Sequence, residues 1–173
     1  MDKIKAHLIS GKVSSNTSEA KSLFEKSRFG EKTEEKIFYT LTEAFYLVET
    51  KKMDVFDSQG KIIQKDALLK KFQRLNKKFK INYIVFRDIR KKGYIVKSAL
   101  KFGADFRVYD KGKSVQKDHS KWLCYTTSET ESLKWQDFAA KNRVAHSTKK
   151  NLLIAIVDEE NDITYFEVKW TRV

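Results

Sequence analysis

The sequence predicts an α/β (α+β) protein of two lobes. A small N-terminal mixed α/β domain covers residues 1–78, and a C-terminal domain over 79–173 has a central mixed sheet flanked by helices. Three observations lead there. Apolar residues alternate at period two on either side of Gly11, the pattern of a hairpin. Farther along they recur at helical spacing in several stretches, each closed by a turn or breaker residue. The last third holds strand-like runs, ending in the unbroken apolar segment 152–157. A length of 173 residues admits one ordinary domain or two small ones, and 40% apolar with 13% aromatic residues is enough to build a core.

In the first lobe, Ile4, Ala6, Leu8 and Val13 form the alternating set, interrupted by the turn at Gly11. Residues 15–26 are polar and then weakly helical, Phe29 and Gly30 supply an aromatic and a turn, and a strand follows over 36–40. Thr42 is placed to cap a helix whose apolar face is Ala44, Phe45, Leu47 and Val48, with Glu43 near its positive end. After Val55 and Phe56, a turn through Asp57, Ser58 and Gly60 leads to a helix from about Lys65 with Leu68, Leu69 and Phe72 on one stripe.

The second lobe opens with Phe79, Tyr83, Phe86 and Ile89 at helical spacing. That helix stops at Gly93, after the cations Arg90, Lys91 and Lys92. Strands are expected over 94–100, 105–109 and 122–126, with Gly103 breaking the first two. A helix over 133–143 with Phe138 and Ala139 inward feeds the strand 152–157, and an acidic turn over 158–162 returns the chain as a last strand, 163–170.

Lys and Arg number 36 against 23 acidic residues, a formal charge of +13 that favours a polyanionic partner, nucleic acid first. The alternative is that the charge serves only solubility. Cys124 is the single cysteine, so no internal disulfide can form; it is expected as a packed strand residue of a protein in a reducing cytoplasm. No run of eighteen apolar residues and no signal peptide is seen, so no membrane association is expected. The absence of a Gly-rich phosphate loop disfavours Walker-type nucleotide binding.

The three histidines, His7, His119 and His146, lack the HxxxH spacing that sets two imidazoles on one helical face for zinc. The acidic residues are scattered or gathered in the 158–162 turn, which disfavours a magnesium nuclease. No cofactor is expected. Metal-free RNA cleavage needs a base for the 2′ hydroxyl, an acid for the departing 5′ oxygen and a cation for the developing phosphorane charge. Tyr, His and Lys can supply these, and all three types stand at edges of expected strands: Tyr109 ends one, His119 precedes another, Lys150 starts a third. Each taken singly also has an ordinary explanation, as a strand end, a loop residue or one of many surface lysines.

The stretch Gly93-Tyr-Ile-Val-Lys-Ser-Ala-Leu-Lys-Phe-Gly-Ala-Asp-Phe-Arg-Val-Tyr109 closely resembles the signature of the catalytic domain in tRNA-splicing endonucleases. The likeness continues with His119-Ser120 before a strand and with Arg143-Val-Ala-His-Ser-Thr-Lys-Lys150-Asn-Leu-Leu-Ile-Ala. Ser27-Arg-Phe-Gly30 and Leu41-Thr-Glu-Ala-Phe-Tyr-Leu47 resemble the archaeal members, extending the match over most of the chain. The resemblance makes the C-terminal lobe a nuclease domain. It implies metal-independent cleavage of precursor tRNA at a bulge-helix-bulge element, leaving a 2′,3′-cyclic phosphate and a 5′ hydroxyl.

Residue by residue, the resemblance implies Tyr109 as general base, His119 as general acid and Lys150 as the cation on the transition state. It selects His119 over His146, which is read as a flank beyond the helix end, and Lys150 over Lys149 because the motif lysine stands two residues before Leu152. Phenols as a class ionise near about pH 10, so a tyrosine base needs cations around it; otherwise Tyr109 positions the hydroxyl. Arg143 and Trp170 match residues that stack on an extruded bulge base, with a helix-end charge and a packed aromatic as the ordinary alternatives. Asp158, Glu159, Glu160 and Asp162 match an acidic loop that docks on a neighbouring subunit, which implies a homotetramer; without the resemblance they are a solvated turn. Competing expectations are a heterotetramer with this chain as catalytic subunit, a non-catalytic RNA-binding structural subunit, and a metal-dependent DNA nuclease.

Overall fold

The computed structural model describes residues 2–112, 115, 119–171 and 173. The chain forms two compact units, Met1–Tyr83 and Ile84–Val173, with the division falling inside one helix. Each unit carries its own five-stranded mixed sheet, in keeping with the expected α/β class.

In the first unit, β1 (Ile4–Ile9) and β2 (Lys12–Ser15) form the hairpin foreseen from the alternation. Its two-residue turn places Ser10 and Gly11 at φ 49° and 77°, the left-handed pair that suits the twist of a tight hairpin. Helix α1 (Ser18–Ser27), capped by the Thr17 side chain on the Ala20 amide, leads to β3 (Glu31–Lys32) and β4 (Ile37–Tyr39). Then come α2 (Leu41–Glu49), β5 (Met53–Phe56) and α3 (Lys65–Leu75). Strand order is β3-β4-β2-β1-β5, with β1 and β5 parallel and the other pairs antiparallel. Ile4, Ala6, Val13, Ile37, Met53 and Val55 point alternately into the core. Phe45 meets Phe72, Phe79 and Tyr83 edge-on at ring distances of 6.4, 5.7 and 4.8 Å, a geometry that adds to simple burial.

The cap of α2 is Thr40, not the expected Thr42. Thr40 Oγ1 accepts the Glu43 amide at 3.2 Å while the Glu43 carboxylate accepts the Thr40 amide at 3.0 Å. A glutamate three residues on can close this reciprocal box only with Thr40. Thr42, the second residue of the helix, is buried instead.

The second unit begins within α4 (Phe79–Lys91) and continues with β6 (Ile95–Ser98), a 3-10 turn at Leu100–Phe102, β7 (Phe106–Tyr109), β8 (Trp122–Ser128), α5 (Trp135–Ser147), β9 (Asn151–Val157) and β10 (Ile163–Val168). Strand order is β10-β9-β8-β7-β6; β8 and β9 are parallel and all other neighbours antiparallel. A parallel pair needs a crossover along the length of the sheet, and α5 supplies it. Cys124 is fully buried on β8.

Four expectations change here. The strand 94–100 stops at Ser98 because the chain must reverse at once to lay β7 against β6. Leu100 is therefore on a turn and 82% exposed, with Gly103 at φ 65° completing it. The helix 133–143 is shifted to Trp135–Ser147, and Ala139 is exposed. Only its later part meets the sheet: Ala145 is fully buried, with Phe138 and Val144 packed against Leu123, Tyr125 and Leu152. The last strand ends at Val168, and 152–157 is not buried throughout, since only Leu152, Ala155 and Val157 are shielded.

Candidate active site

Backbone pairing brings Tyr109, His119 and Lys150 to one end of the second sheet. The end of β7 lies beside the start of β8 because those strands are antiparallel, and the start of β9 lies there because β8 and β9 are parallel. Lys121 makes both connections, its amide donating to Val108 O at 2.9 Å and its carbonyl accepting the Asn151 amide at 3.0 Å. Tyr109 and Lys150 each adjoin one of these bonded residues, and His119 stands two before Lys121.

Tyr109 is buried, 3% exposed, and His119 is exposed. Lys150 is half-buried; its Nζ donates to Thr148 O at 2.8 Å and lies 5.4 Å from the Phe102 ring centre. Burial lowers its pKa from the ordinary lysine value, and the nearby Arg107 charge lowers it further. Both causes disfavour the charged ammonium relative to the neutral amine.

The end of α5 sets Lys149 and Lys150 apart. Lys149 sits at φ 58°. Its amide bonds His146 O at 2.9 Å, and the Lys150 amide bonds Ala145 O at 2.8 Å. This is the paired termination in which the residue after the cap turns left-handed and the next one rejoins the helix carbonyls. Lys149 is thereby spent on the turn and left exposed, and Lys150 is delivered to the head of β9.

Arg107 was not foreseen. It lies two residues before Tyr109 on β7 and so on the same face. Its Nε donates to Ser98 O at 2.9 Å, and it pairs across the sheet with the buried Lys97. Period-two counting back from Tyr109 was the signal that could have found it. Ser120, beside His119, is 4% exposed, and its hydroxyl has no hydrogen-bond partner among the described residues.

Arg143 is exposed on α5. Trp170, 45% exposed, stacks on His146 at 4.5 Å and 29°, so the indole reaches α5 one turn beyond Arg143. His146 lies in the last turn of α5 and not beyond the helix end as expected. Asp158, Glu159, Glu160 and Asp162 form the β9–β10 turn at the other end of the sheet from Tyr109. There Asp158 Oδ1 accepts the Asp162 amide at 2.8 Å, and Glu129 accepts the Glu159 amide at 3.0 Å. Among the described residues no group of three or more His, Cys, Asp or Glu side chains is placed to hold a metal ion. No helix among them is long and apolar enough to cross a membrane.

Two family models match the chain: tRNA intron endonuclease, N-terminal domain, over residues 4–69, and tRNA intron endonuclease, catalytic C-terminal domain, over 79–165. A tRNA-splicing endonuclease of Thermococcus onnurineus is 41% identical over 150 residues, covering 87% of this chain and 85% of that protein. One of Nanoarchaeum equitans is 43% identical over 138 residues, covering 76% and 88%. One of Methanothermobacter thermautotrophicus is 38% identical over 157 residues, covering 90% of each.

Proposed function

Since the chain belongs to the tRNA intron endonuclease family and is an endonuclease of tRNA splicing, we propose that it cuts precursor tRNA at the intron boundaries of a bulge-helix-bulge element. The reaction is transesterification without a metal, leaving a 2′,3′-cyclic phosphate and a 5′ hydroxyl. Tyr109 takes the 2′ hydroxyl proton or positions that hydroxyl. The freed 2′ oxygen attacks the adjacent phosphorus, His119 protonates the 5′ oxygen as its bond to phosphorus breaks, and Lys150 carries the charge on the non-bridging oxygens.

The observation that supports this reading is the strand pairing that draws the ends of β7, β8 and β9 together around Lys121. It gathers a phenol, an imidazole and an ammonium from three separate segments at one edge. Arg107, on the face of Tyr109, supplies the further cation that a phenolate needs. Arg143 and Trp170 stack on a bulge base, and the Asp158, Glu159, Glu160 and Asp162 loop docks on a neighbouring subunit of a homotetramer acting in the cytoplasm.

The test is cleavage of a bulge-helix-bulge RNA by the purified chain in excess chelator, with the new 3′ end analysed by mass. A cyclic phosphate is the expected product. Binding without cleavage would leave a structural RNA-binding subunit as the better description, and cleavage abolished by chelator would overturn the metal-free reaction.

A further inference from the structure

Strand β7 puts Arg107 and Tyr109 on one face of the sheet and Phe106 and Val108 on the other. On that other face, at the same end of the sheet, is an open cavity of about 230 Å³. Val108 and Leu153 form its floor, and Tyr94, Trp122 and Tyr165 are its walls. Each wall ring has a lysine ammonium over it: Lys111 is 5.0 Å from the Tyr94 centre, Lys121 4.4 Å from Trp122 and Lys92 4.9 Å from Tyr165.

The walls are held in place by the fold. Glu167 accepts the Trp122 indole N–H at 3.1 Å and the Asn151 side-chain Nδ2–H at 2.6 Å, fixing the indole plane. Tyr165 donates its hydroxyl to Asp88 of α4 at 2.7 Å, and the Tyr94 ring meets Trp122 edge-on at 5.9 Å. Two of the lysines have carboxylate partners, Lys92 with Asp88 at 2.7 Å and Lys121 with Asp110 at 3.4 Å. Such solvent-facing pairs are weak and yield to a phosphate.

Aromatic walls with a rim of ammoniums are the chemistry of single-stranded nucleic acid, where bases stack and lysines follow the backbone. The volume is smaller than the roughly 300–1,000 Å³ of whole small-molecule sites, which suits one planar base. Resting on the assignment of RNA as substrate, we propose that this cavity receives one unpaired nucleotide of that RNA, flanking the cleavage point. Its base lies against Trp122 and Tyr94, and its phosphates meet Lys92, Lys111 and Lys121. The cavity shares a sheet end with Tyr109 and Lys150 but faces away from them, so it holds the strand entering or leaving the site and takes no part in bond breaking.

A bulge-helix-bulge RNA carrying 5-iodouracil at its unpaired positions, irradiated with the full chain, tests this. Adducts on Tyr94 or Trp122 are expected. Tyr94→Leu is expected to weaken binding of the same RNA about 5- to 100-fold, the range for one lost base stack. If Tyr94→Leu does not fold, Lys111→Glu at an exposed position serves in its place and is expected to weaken binding. Adducts confined to other residues, or full affinity in a folded variant, overturn the proposal. A change of oligomeric mass in Tyr94→Leu without RNA would identify the cavity as a protein interface and overturn it too. Adducts in the cavity without cleavage would support the pocket and sink the endonuclease chemistry, whereas no RNA binding by the unmodified chain would overturn both.

Discussion

Lys150 is asked to be a cation in a place that disfavours one. Burial, then the Arg107 charge, holds its pKa below the ordinary lysine value, so the free protein loses this charge at a lower pH than free lysine does. In kcat/KM, which reports the free enzyme, the alkaline limb therefore falls earlier than an ordinary lysine implies. Lys150→Arg, which cannot be deprotonated in this range, should remove that limb at some cost in rate, and Arg107→Gln should move it to higher pH. An identical limb in all three proteins excludes Lys150 as its source. For the acid, His119→Ala should lower single-turnover cleavage by about 10²- to 10⁴-fold while RNA binding persists; unchanged cleavage removes His119 from the mechanism. Tyr109 and Lys150 could be proposed from the sequence because each sits in a long motif, and His119 because its His-Ser pair precedes a strand. Arg107, Tyr94 and Trp122 could not, because their significance lies in which face of a strand they occupy and what approaches from another segment.

Helix ends carry much of the local specification. Thr40→Ala opens the capping box of α2 and should cost about 1 kcal/mol, read as a lower urea midpoint. Glu43 does more than cap, since its other oxygen accepts the Gly30 amide at 2.9 Å. Gly30 itself has φ 80°, and a Cβ there would come within 2.4 Å of Ile37 Cγ2, so the 27–30 turn, α2 and β4 depend on one another. At the end of α5, Lys149→Gly should relieve a left-handed lysine and stabilise the protein by up to about 1 kcal/mol. Cleavage should be unchanged, and a large rate loss would mean that Lys149 has been wrongly set aside in favour of Lys150. Element types could be read from apolar period. The cap could not, because Thr40 and Thr42 are both plausible by composition and only the reach of Glu43 separates them. The register of α5 was missed because the face it buries is narrow, resting on Ala145 with Phe138 and Val144 beside it.

Across the whole chain, the charge of +13 should make RNA binding fall steeply with salt, log affinity declining linearly with log salt concentration in proportion to phosphates neutralised. A flat response in filter binding would contradict ionic recognition. Reversing Glu159 and Glu160 to lysine should split a homotetramer into smaller species by size exclusion, with the fold unchanged by circular dichroism. An unaltered elution volume would remove the loop from the assembly. The α/β class was visible in the succession of periods, whereas the parallel placement of β8 beside β9 was not. That pairing rests on contacts distant in sequence, and it has a consequence for how the proposed catalytic groups are shared along the chain. Tyr109 and His119 precede the 129–134 connection and Lys150 follows it, while the connection itself lies at the far end of the sheet. A protein expressed as two pieces divided there should be inert as either piece alone and regain cutting when they meet. Catalysis would then report the reunion of β8 with β9.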